Sequence, residues 1–82
     1  MAMTTIFSGM GTACMIKFAG HTAMVHRANL PLERNNFRAT FWFNNGAQGP
    51  RIVEGFSTFN EARRFAQSVL PDGFLPNARE TA

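Results

Sequence analysis

Three side chains in this sequence have the reactivity for nucleophilic or metal chemistry: Cys14, His21 and His26. A nucleophile needs a base within reach and a third group that orients the base. Cys14 shares the apolar side of an alternating segment with Ile16 and Phe18, where a buried thiol behaves as a small hydrophobe. His21 falls in a turn and His26 near a strand end, so the sequence predicts no catalytic pair and no enzyme. The spacing of the three also fits no zinc pattern, because structural zinc draws paired ligands from knuckles of about two to four intervening residues. Glu33, Glu54, Glu61, Asp72 and Glu80 do not pair in sequence. Gly9-Met10-Gly11 lacks the third glycine and the following helix of a phosphate-binding loop, and no P-loop lysine is present. The expectation is a protein without a metal and without a cofactor.

Binding chemistry is better represented. Arg38, Thr40 and Trp42 alternate with Phe37, Ala39, Phe41 and Phe43, the period of a half-buried strand. One face of that strand is apolar, and the other sets a guanidinium beside a large flat ring. Arginine and tryptophan are the side chains most enriched at interface hot spots, since each buries much surface and keeps a directional polar end. The same pair can stack a base or enter a groove of nucleic acid. Arg51, Arg63 and Arg64 add positive charge in the segments that follow. The sequence therefore predicts a macromolecule-binding surface formed by Arg38, Thr40 and Trp42, with Arg51, Arg63 and Arg64 contributing steering or phosphate contacts.

The elements that must position these residues are legible in part. Residues 1–12 have no clear period, and Ile6 and Phe7 either form a short strand or tuck against the core. Residues 13–18 and 22–27 read as strands joined by a turn at Ala19-Gly20-His21. The polar run 29–36, with Pro31, reads as a loop. A second hairpin pairs residues 37–43 with 51–56 through the flexible segment NNGAQGP, which contains the turn dipeptide Asn45-Gly46. Thr58-Phe59-Asn60-Glu61 is a capping box, and Phe59, Ala62, Phe65, Ala66, Val69 and Leu70 follow at helical spacing. Arg63, Arg64 and Gln67 lie on the opposite helix face, and Pro71 with Asp72-Gly73 stops the helix. Phe74 and Leu75 are expected to fold back on the core. The predicted class is α+β: about four antiparallel strands with one amphipathic helix across one face. The uncovered face takes Arg38, Thr40 and Trp42, with some of Lys17, Arg27 and Arg51.

Composition sets the outer bounds. A chain of 82 residues forms one small domain, which buries only about 60% of its unfolded surface. The core is expected over about 13–75, with 1–12 and 76–82 loose. A single cysteine permits no intrachain disulfide and suits a reducing cytoplasm. No apolar run approaches the roughly 20 residues that span a bilayer, and the N-terminus lacks the early basic region of a secretory signal. The formal charge is +3, and seven of the eight basic residues are arginine, either for recognition or through codon bias. With nine Phe, one Trp and no Tyr, most of the phenylalanines are expected in the core, since so small a domain has few other large side chains to bury.

Two resemblances follow from these elements. Strands leading into GFSTFNEARRFAQ over residues 55–67 resemble the arm-type DNA-binding domains of tyrosine integrases, which lay a three-stranded sheet in the major groove. Gly55, Phe56, Thr58, Glu61 and Ala62 match the G-F-x-T-x-x-E-A segment that opens their helix. This chain departs from them in its leading hairpin and its sparser basic strands. In size, architecture and lack of catalytic motifs the chain also resembles small phage and mobile-element inhibitors of the anti-CRISPR type. That likeness implies a stoichiometric blocker of a surface on a bacterial defence nucleoprotein complex, acting in the host cytoplasm. The sequence thus predicts a non-catalytic binding protein whose partner is a protein or nucleoprotein complex. An arm-type DNA-binding module is the alternative. Edge strands also allow a homodimer.

Overall fold

The structure is a computed structural model that describes residues 2–8, 13–27 and 37–75. The loop expected at 29–36 and the tail at 76–82 lie outside the described residues, as do Gly9 and Gly11. Five antiparallel strands form one sheet: β1 (Thr4–Phe7), β2 (Cys14–Phe18), β3 (His21–Arg27), β4 (Phe37–Trp42) and β5 (Arg51–Phe56). They lie side by side in chain order, so every neighbour is also the next strand along the chain. One helix, α1 (Phe59–Val69), crosses β3 and β4 on one face. The α+β class is as expected, with β1 added as a fifth strand.

Turn chemistry sets the hairpins. Phe18 pairs with His21, leaving the two-residue turn Ala19-Gly20 with φ of 51° and 84°. Two positive φ values define the turn whose twist matches a hairpin, and only the second residue here takes that region without strain. The β4–β5 connection differs from the loose segment expected. Asn44, Asn45 and Gly46 all adopt positive φ and form a tight turn, tied to the first hairpin by Asn45 N–H donating to Gly20 C=O at 2.8 Å. His21 closes the same junction. Its Nδ1 accepts from the Asn44 N–H at 3.0 Å, and its ring meets Phe43 edge-on at 5.6 Å.

The helix follows its caps. Thr58 Oγ1 accepts from the Glu61 N–H at 3.1 Å, and Glu61 Oε1 accepts from the Ser57 N–H at 2.8 Å. Two otherwise unsatisfied donors are thereby paired at the entry to the helix. A single 3₁₀ turn at Leu70–Asp72 ends it, with Pro71 inside the turn.

Between sheet and helix lies the core. Ala23, Ala39, Ala62 and Ala66 are fully buried, small residues in the layer where the two backbones meet. Around them Ile16, Val25, Phe41, Val53, Phe56 and Leu70 are also fully buried. Phe41 stacks on Phe43 at 5.5 Å and meets Phe65 edge-on at 6.0 Å; Phe65 also tilts against Phe56 at 5.3 Å. Such pairs add about 0.5–1.5 kcal/mol each beyond burial. Most of the phenylalanines join the core as expected: Phe41, Phe43 and Phe56 are buried, and Phe18, Phe37, Phe59 and Phe65 pack half-buried against it. Leu75 does fold back onto it, whereas Phe74 is 64% exposed.

Phe41→Ala should destabilise the fold by about 3–5 kcal/mol, as for aromatic truncation in a packed core. Thr58→Ala should cost only about 1 kcal/mol, the value of one N-cap. Urea unfolding of both variants checks the order, and a cap loss as large as the core loss would show that the helix entry dominates stability.

Candidate functional site: the open sheet face

Residues directly opposite one another in antiparallel strands share a face, so the register assigns every side chain. The face away from α1 carries three rows. Across its centre run Ile6, Met15, Met24, Thr40 and Ile52. On one side of this band lie Thr4, Lys17, Thr22 and Trp42, and on the other His26, Arg38 and Glu54. Ile6 is 54% exposed and Ile52 45%, large values for isoleucines in the middle of strands. Among the described residues no element covers this face.

The central band is apolar from edge to edge except for Thr40, which is buried between its neighbours. Its two methionines matter physically. Unbranched, polarisable thioether chains can repack against surfaces of varied shape, which suits contact with a partner better than a fixed internal core. At one end of the face Thr4, Met15, Lys17, Met24 and Trp42 line a shallow depression of about 680 Å³, rimmed by the Gly20 and Asn45 turns. The clamp between those turns thus positions the rim beside Trp42.

At the other end Arg38 forms an ion pair with Glu54, its direct cross-strand partner, at 3.3 Å. Such surface pairs contribute at most about 1 kcal/mol to stability. The pair does, however, fix where the guanidinium lies. Arg38 Nε is buried and has no hydrogen-bond partner among the described residues, so the group meets solvent through its other nitrogens. With Arg38 neutralised by Glu54, Lys17 is, among the described residues, the unopposed strong cation of this face. Duplex binding draws much of its strength from Lys and Arg side chains that neutralise phosphates.

The predicted site residues do not form one surface. Arg38, Thr40 and Trp42 occupy the open face as expected, joined by Lys17. Arg51 is opposite Phe41 and Arg27 opposite Phe37, which puts both on the helix side of the sheet. The Arg27 guanidinium sits over the Phe37 ring at 5.4 Å. Arg63 donates to Gln67 Oε1 at 3.1 Å and to Asn60 Oδ1 at 3.4 Å along the helix, and Arg64 is exposed next to Asn60 and Glu61. Those cations lie on the other side of the sheet from Trp42 and do not share its face. Met15, Met24, Ile6 and Ile52 are the members that the sequence reading missed. A signal existed, since β2 and β3 place apolar residues on both faces.

Cys14, His21 and His26 do not converge. Cys14 is buried on the helix side, His21 is tied to Asn44 and Phe43, and the His26 ring nitrogen Nδ1 lies 3.1 Å from the Arg27 carbonyl oxygen. Among the described residues no three His, Cys, Asp or Glu side chains approach one another closely enough to hold a metal. No helix there is long and apolar enough to cross a membrane.

The G-F-x-T-x-x-E-A residues each have a task at the strand-to-helix junction. Gly55, at φ 97°, is the extra residue of a β-bulge in β5, a conformation that other residues resist. Phe56 and Ala62 are fully buried, and Thr58 and Glu61 cap the helix. Comparison of the chain with known protein families, characterised proteins and solved structures finds no match.

Burial pushes the Cys14 thiol above its ordinary 9.0, against smaller downward pulls from Arg63 and a hydrogen bond with Val25. The unfolded chain therefore loses the Cys14 proton first, and folding stability contributed by this group is full below the ordinary value and lost as pH rises through the folded one. Urea unfolding at pH 8 and pH 10 should show a fall in stability that Cys14→Ala lessens. An identical fall in both proteins would contradict the burial argument.

Proposed function

We propose that this chain is a non-catalytic binding protein that docks a partner protein on its open sheet face. The observation that carries this reading is the uncovered band of Ile6, Met15, Met24 and Ile52, bordered by Trp42 and Lys17 and by the Arg38–Glu54 pair. Exposed apolar surface with a polar rim is the anatomy of a protein interface, in which a central aromatic or aliphatic anchor is ringed by groups that exclude water. The complementary surface would be apolar at its centre, with an acidic group facing Lys17. The chain's likeness in type to small phage inhibitors makes a surface of a bacterial defence nucleoprotein complex the first partner to test. In that role the domain would act by occupying the surface, with Trp42 as the anchor.

The spread of cations favours a protein partner over duplex DNA. Among the described residues Arg27, Arg51, Arg63 and Arg64 are on the helix side and Arg38 is paired, so a duplex on the open face would meet Lys17 as its one unopposed cation there.

Two measurements test the proposal together. Binding to a random 30-mer duplex should be absent at low salt, and binding to a purified CRISPR effector complex should be tight. Trp42→Ala should weaken the second by more than about tenfold, as expected for an interface anchor, with an unchanged circular dichroism spectrum. Salt-sensitive duplex binding abolished by Arg38→Glu would instead establish the arm-type DNA-binding function.

A further inference from the structure

The two outer strands of the sheet are built differently. β5 follows Pro50, carries Arg51 and Glu54, and is distorted by the bulge at Gly55. Proline, charge and bulges are the devices by which edge strands avoid pairing with other chains. β1 has none of them. Its sequence Thr4-Thr5-Ile6-Phe7 is uncharged and regular, and the first charged residue in the chain is Lys17. Among the described residues β1 has a neighbour on one side only.

The hydrogen-bond phase of that free edge can be worked out. Ser8 N–H donates to the Ala13 carbonyl at 2.9 Å, which makes Ser8 and Ala13 a hydrogen-bonded pair continuing the β1–β2 register. Hydrogen-bonded and non-hydrogen-bonded pairs alternate in an antiparallel ladder. Ile6 and Thr4 therefore direct their backbone groups inward to β2, while Thr5 and Phe7 direct N–H and C=O outward. On the open face Ile6 is 54% exposed. On the helix side Phe7 is also 54% exposed, although its ring lies 6.3 Å from that of Phe59. A strand added here would cover apolar surface on both sides at once.

We infer that β1 pairs with β1 of a second copy of this chain, antiparallel about a two-fold axis through Ile6. In that register the outward groups of Thr5 face those of Phe7 in the other copy, and the reverse, giving four backbone hydrogen bonds. Ile6 meets its own symmetry mate as a non-hydrogen-bonded pair, the closer of the two pair types, with Cα atoms about 4.5 Å apart. A second copy suits this edge because the chain as a whole is positively charged, and here two copies meet without opposing any charge. The axis is perpendicular to the sheet, so the two open faces lie on the same side and join into one continuous ten-stranded surface. The inference concerns the edge, and does not depend on what the open face binds.

Four residues per copy make a small interface, at the low end of the size range for specific association. The dimer should therefore be weak and concentration-dependent. In sedimentation equilibrium the mass should rise from 9.1 kDa towards twice that value between micromolar and millimolar protein. Ile6→Lys puts two ammonium groups on the axis and should abolish the rise while leaving the circular dichroism spectrum intact. Cross-linking checks the register. In a Cys14→Ala background, Ile6→Cys should form an intermolecular disulfide on mild oxidation, because its Cα spacing lies within the roughly 4.4–6.8 Å that a disulfide spans. Thr4→Cys should not, since it would face Ser8 of the other copy. A mass that stays monomeric at millimolar protein, or equal cross-linking by the two cysteine variants, would overturn the inference.

Discussion

One helix cannot cover five strands, and the rest of the structure follows from that constraint. The outer strands lie about 19 Å apart at the usual strand spacing of about 4.8 Å, whereas a helix is about 10–12 Å across with its side chains. α1 is eleven residues long and lies over β3 and β4. On its own side the deficit is made up by phenylalanines: Phe37 and Phe59 meet at 6.1 Å, and Phe41, Phe56 and Phe65 fill the adjoining space. Among the described residues the other side receives no helix, yet its central row is apolar apart from Thr40. A face of that composition is stable when a partner removes it from water, and this is the physical content of the functional proposal.

The same geometry links stability to the site. The positive-φ turns at Ala19-Gly20 and Asn44–Gly46 are joined by a backbone hydrogen bond and by His21, so the ends of β2, β3 and β4 form one unit. Trp42 sits at that end, the last residue of its strand. Histidine, a candidate for chemistry in the sequence, is here a fastening: its ring nitrogen takes the Asn44 N–H and its edge packs on Phe43. Cys14 is likewise packed into the core, buried on the helix side of β2.

Local signals carried most of the fold. The alternation in β4, the turn dipeptides and the Thr58–Glu61 cap each depend on residues a few positions apart, and each appears where the pattern placed it. Features that depend on register were not legible. Arg51 lies on the helix side because the length of the β4–β5 connection sets its parity, and no local pattern reveals that parity. β1 was ambiguous because Thr-Thr-Ile-Phe has no polar alternation to mark a half-buried strand. The apolar band on the open face was hidden for a related reason. Ile6, Met15, Met24 and Ile52 come from four strands and become neighbours only when those strands are laid side by side.

Trp42 is the only tryptophan in the chain, so its fluorescence reports on the open face alone. The most direct test of the central claim is acrylamide quenching of that fluorescence in the free protein and in complex with a partner that lacks tryptophan at the contact. Ready quenching is expected when free, and a blue-shifted, protected emission when bound. Binding that leaves Trp42 equally accessible would place the interface elsewhere and contradict it.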